Sequence, residues 1–106
     1  MNDDISIIWG RVEQLFKHKY QTMYWIEVYN DRFDDTYNFF FYAKEKFGRQ
    51  RSIPLHTVKD YHLEHLEGII DELKKRTQLT IKFGGFDKLY WPKSQKLIQR
   101  KASEVE

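Results

Sequence analysis

The chain contains no cysteine, so disulfides, thiolate metal sites and cysteine nucleophiles are all excluded. That suits a reducing compartment. It also lacks any apolar run near the roughly 20 residues that a membrane-spanning helix needs. MNDDISIIW places acids ahead of a short apolar stretch, whereas a secretory leader needs a basic start and a longer apolar run. The expectation is a cytoplasmic protein with no membrane partner. Net charge is small as well: 18 Lys and Arg against 16 Asp and Glu leave +2. Nucleic-acid binding cannot be argued from that total, only from how the charge is distributed. There is no internal repeat, no P-loop, no Ser-His-Asp set and no HExxH. Neither an enzyme nor a cofactor is expected.

Aromatic rings are abundant. They make up 17% of the 106 residues, within a hydrophobic share of 41%, so a core must be built from a few large side chains. Charged residues at 32% give a well-solvated surface. The length suits one domain, read here as 1–98 with a polar, frayed tail over 99–106.

Residues 5–16, ISIIWGRVEQLF, read as a long first strand, with Ile8, Val12 and Phe16 on one face and Gly10 as a bulge or bend. KHKY follows as a polar turn. TMYWIEVY (22–29) alternates: Tyr24, Ile26 and Val28 on one face, Met23, Trp25, Glu27 and Tyr29 on the other. NDRFDD is an Asx-rich turn. YNFFFYAKEKF is a third strand with rings on both faces, Tyr37/Phe39/Phe41 against Phe40/Tyr42. RQRSIPL, after Gly48, pairs back or runs extended. A helix is expected near 58–76, capped by Thr57 with Asp60 three positions on. Its apolar stripe is Leu66, Ile69, Ile70 and Leu73, joined by Val58 and His62. Glu64, Glu67, Asp71 and Glu72 lie outside that stripe, and Lys74, Lys75 and Arg76 close the last turn. Gly68 is read as a close approach to a strand. QLTIKF and FDKLYW read as strands four and five, separated by a Gly84-Gly85 bend.

This makes a mostly β chain in the order β-β-β-α-β-β. In that order, in Gly10 within a long first strand and in the helix before strand four, residues 5–98 resemble the OB-fold, a five-stranded antiparallel barrel. The alternative is a curved antiparallel sheet packed on one helix. The resemblance implies single-stranded nucleic-acid binding, with strands two and three as the binding face and a role as an accessory to replication or recombination.

The rings expected to stack on bases are Trp25, Tyr29, Phe40 and Tyr42. KEKFGRQR offers Lys44, Lys46, Arg49 and Arg51 for phosphates, and the acid-free stretch after Asp87 adds Lys88, Lys93 and Lys96. The partners expected are single-stranded DNA or RNA and a replication protein. Exposed rings beside cations equally suit a protein interface, where Tyr, Trp and Arg are enriched. HLEH puts His62 and His65 three apart, but the third and fourth ligands of a zinc site are missing, and His62 is read as a partly buried core residue. NDRFDD lacks the glycine and distal glutamate of a calcium loop, and FGGF lacks the third glycine of a dinucleotide loop. No metal site is expected.

Overall fold

The computed structural model describes residues 3–17 and 19–99; of the frayed tail expected over 99–106, residues 100–106 lie outside them, and Gln99 accepts from the Phe86 N–H at 2.9 Å. Two helices and four strands follow the order α1 (Asp3–Leu15), β1 (Thr22–Asp31), β2 (Thr36–Glu45), β3 (Gln50–Val58), α2 (Leu63–Arg76), β4 (Thr80–Gly84). The sheet order is β3-β2-β1-β4. β1, β2 and β3 form an antiparallel meander, and β4 joins β1 in parallel. The sheet is therefore mixed and open. It is not the closed barrel of five antiparallel strands, and it carries two helices where one was expected.

The first element is a helix, not a strand. Ile8, Val12 and Phe16 are four apart, a spacing that keeps one face in either geometry. Ile5 decides between them. It is three residues from Ile8, on the opposite face of a strand but the same face of a helix, and Ile5, Ile8 and Val12 are all buried. Gly10 meets nothing within 4 Å of a built Cβ, so it marks neither a bulge nor a close approach. The same is true of Gly68, which removes the strand contact expected there.

β1 and β2 pair through the 32–35 turn, where Asp31 Oδ1 accepts from the backbone N–H of Phe33 (3.0 Å) and Asp34 (3.2 Å). This is the Asx chemistry that NDRFDD implied. A register shift at Phe39/Phe40 lets Leu55 of β3 enter the core. Pro54 is accommodated because β3 is an edge strand. Thr57 and Val58 belong to β3, so Thr57 is no helix cap. α2 starts five residues after Val58, with His62 at its N-cap. The His62 side chain is exposed and bonded to Asp60 at 2.6 Å, rather than lying in the core.

Both helices cover the same sheet face. Leu66, Ile69, Ile70 and Leu73 of α2 share one core with Ile5, Ile8 and Val12 of α1, Ile26 and Val28 of β1, and Tyr37, Phe39 and Phe41 of β2. α1 and α2 run in the same direction: Asp4 near the start of α1 bonds His65 near the start of α2, while Glu13 and Phe16 share a cleft with Lys74, Lys75 and Arg76 at the other end.

FDKLYW is not a strand. Phe86 enters the core and stacks on Tyr37, and the rest of the segment makes one bridge, Tyr90 to Leu97. The chain just after it is held by Glu67, which lies outside the apolar stripe of α2 but is buried. Its carboxylate accepts from the backbone N–H of Lys93 (2.8 Å) and Ser94 (3.1 Å).

Candidate functional site

The helices leave the other sheet face uncovered by any described helix. Strand parity sends Met23, Trp25, Glu27 and Tyr29 of β1 there, with Asn38, Phe40, Tyr42 and Lys44 of β2. Register sets Trp25 between Tyr42 and Thr80, Glu27 between Phe40 and Lys82, and Tyr29 between Asn38 and Gly84. The four expected rings thus come together on one surface.

Trp25 and Tyr42 stack with centroids 5.3 Å apart and planes 12° from parallel. Tyr29 meets Phe40 edge-on at 5.8 Å. Glu27 ties the two pairs: one carboxylate oxygen accepts from Trp25 Nε1 at 2.7 Å and the other from the Tyr29 hydroxyl. That bond to Glu27, with burial and then Tyr42 adding to it, raises the Tyr29 pKa well above its ordinary value, so the hydroxyl is a fixed donor. Gly84 makes this geometry possible, since a Cβ there would stand 2.6 Å from the Tyr29 ring.

One expected role changes. Trp25 is not an exposed ring. Tyr42 flanks it from β2, and Lys82 from β4 lies 4.8 Å from its ring centroid; only 7% of the residue is accessible, against 39% of Tyr29. Trp25 is the support on which the more exposed rings sit.

Lys44, Lys46, Arg49 and Arg51 are all exposed around the β2–β3 turn; parity puts Lys44 on the ring face, whereas Arg51, paired with Ala43, points to the helix side and does not join the rings. Lys46 N–H bonds Gln21 O at 2.9 Å, which brings the loop before β1 alongside. Lys19 and Tyr20 therefore join this rim with Phe47 and Met23, all exposed. Lys19 and Tyr20 form a basic-aromatic pair, but only the tertiary fold puts it beside Lys46. The cations expected after Asp87 do not join. Lys88 lies beyond Gly85, near the opposite sheet end, where Gly85 O accepts from Asn30 and Arg32. Lys93 and Lys96 flank α2 in a cleft with Glu67 and Asp71. At the far end the acids Asp31, Asp34, Asp35, Asp60 and Glu64 outnumber the cations Arg32, Lys59 and Lys88, so a nearly neutral chain carries its cationic excess at the β2–β3 end.

Among the described residues no group of three or more His, Asp or Glu is placed to hold a metal ion. His56 and His65 serve the fold. Asp4 bonds His56 of β3 at 2.7 Å and His65 of α2 at 2.9 Å, fastening three elements together. Burial pushes the Asp4 carboxyl up, but the hydrogen bonds and charge of the two histidines outweigh it, leaving Asp4 below its ordinary value. Among the described residues no helix is long and apolar enough to cross a membrane. No protein-family model, no curated protein and no solved structure matches this chain.

Proposed function

We propose that this chain is a binding module, not an enzyme, that holds single-stranded DNA or RNA across its open sheet face. The observation that carries the reading is the sharing of one face by Tyr29, Phe40 and Tyr42 with Lys44 and Lys82, beside the exposed turn of Lys46 and Arg49. Rings on a sheet surface stack on unpaired bases, at about 1–3 kcal/mol per base, and sheet-borne aromatics are a recurring way of holding single-stranded RNA. The cations beside them would take the phosphates. Trp25 and Glu27 would keep the ring platform rigid. Service to replication or recombination, in the reducing cytoplasm that a cysteine-free chain suits, belongs to the same proposal.

The test is fluorescence anisotropy with a labelled oligo-dT at two salt concentrations. Binding that weakens with salt, by about 0.7 log units per log unit of salt for each phosphate contact, is the expected result. No binding at low salt would overturn the reading. A protein partner on the same rings is the second reading. It is favoured by the carboxylate of Glu27 amid the rings and by fully exposed Phe33, which lines a concavity with Tyr29 and Phe40.

A further inference from the structure

Two features stand at opposite ends of the molecule. The first is Phe33. It stands at the tip of the β1–β2 turn with its whole side chain exposed, in the run Asp31-Arg32-Phe33-Asp34-Asp35, where three acids outweigh one cation. The turn closes through Asp31 and the backbone, so the ring adds nothing to the fold and carries the full cost of wetting an apolar surface.

The second is a cleft of about 880 Å³ where α1 and α2 end and β1 and β4 begin. Trp9, Phe16, Tyr24 and Leu79, all partly buried, supply its apolar lining, with Val12 beneath. Lys74, Lys75 and Arg76 rim it, opposed by the single acid Glu13. Part of that charge answers the negative end of the α2 dipole, and Glu72 engages Lys75 and Arg76. The side chains are nonetheless exposed, and exposed pairs of this kind are weak and exchangeable.

The two features are complementary in shape class and in net charge: an aromatic knob in a net-acidic turn, and an aromatic-lined cleft with a net-basic rim. They cannot meet within one molecule, because β1 separates them by ten residues, roughly 33 Å of strand. We infer that this chain self-associates head to tail, the Phe33 tip of one copy seating in the Trp9/Phe16/Leu79 cleft of the next. Such a contact is heterologous: each copy offers its tip to one neighbour and its cleft to another, so the assembly grows into a ring or an open chain. Phe33 borders the concavity of Tyr29 and Phe40, so the contact lies beside the ring face; it is tested without oligonucleotide, apart from the nucleic-acid reading.

Sedimentation equilibrium over a wide concentration range, without oligonucleotide, tests it. The wild type should gain mass with concentration at low salt and lose it at high salt, where the charge attraction is screened. Phe33→Ala should weaken association by about thirtyfold or more, the size of an interfacial hot spot, with an unchanged thermal melt because the ring touches nothing in its own chain. Lys74→Glu combined with Lys75→Glu inverts the rim and should also be monomeric. Mixing these two variants is decisive, because one retains the cleft and the other the tip. They should form a one-to-one dimer that stops there. A wild type that stays monomeric at low salt, a Phe33→Ala chain that associates like the wild type, or a mixture that fails to pair would each overturn the inference.

Discussion

Trp25 lies flat against Tyr42, ring centroids 5.3 Å apart and planes 12° from parallel, with Glu27 taking its indole N–H. A ring held this way on a face without a helix stabilises the sheet itself. Trp25→Ala should therefore cost about 3 kcal/mol, the low end for deleting a buried aromatic ring, and lower the urea midpoint clearly. An unchanged midpoint would mean that the stack contributes nothing to the fold.

Glu67 should be the residue on the outer side of α2 whose loss is most costly. Its carboxylate satisfies the N–H groups of Lys93 and Ser94 from within the protein. Glu67→Ala leaves both donors without it, at about 1–3 kcal/mol each. Amide exchange would show the damage locally, as lost protection over 93–98 with the β1–β2 hairpin unaffected. Uniform loss across the chain would instead mean that the segment is not a separate unit.

Asp4 sets an acid limit on stability. Its folded-state pKa lies below the ordinary carboxylate value. The resulting stabilisation is fully present above that ordinary value and is lost as pH falls through the depressed one. The urea midpoint of the wild type should exceed that of Asp4→Asn at neutral pH, and the gap should close in acid. A gap that stays constant with pH would assign the Asp4 contribution to packing.

Neutralising Lys44 and Arg49 together, by Lys44→Gln and Arg49→Gln, should flatten the salt slope of oligonucleotide binding by about 1.4 units, two contacts at 0.7 each. Lys88→Gln with Lys93→Gln should leave the slope unchanged, because neither lies at the rim. The reverse pattern would move the phosphate path to the α2 side.

What was legible in the sequence is the local part of the fold. YNFFFY divides as its alternation requires: Tyr37, Phe39 and Phe41 are buried, while Phe40 and Tyr42 meet the β1 rings on the other face. The α2 stripe was equally plain, because Leu66, Ile69, Ile70 and Leu73 fit no other period. α1 reads as a strand because a four-residue spacing satisfies both helix and strand; only Ile5, three residues before Ile8 and buried with it, separates the two. The parallel docking of β4 on β1 rests on a crossover through α2, which short-range patterning does not report. That docking brings Lys82 over Trp25 and explains why a ring beside a glutamate is nevertheless buried. Glu67 reads as surface by its helical position; only the chain folding back at 92–94 makes it an internal acceptor.

The central claim is that the open face of the sheet is the binding surface for a single strand. A nitrogen-15 NMR titration with oligo-dT tests it most directly. Amide shifts should concentrate at Tyr29, Phe40, Tyr42, Lys44 and Lys82 and extend to Lys46 and Arg49, with the α1 and α2 amides unmoved. Shifts confined to the helices, or none at all at low salt, would contradict the account.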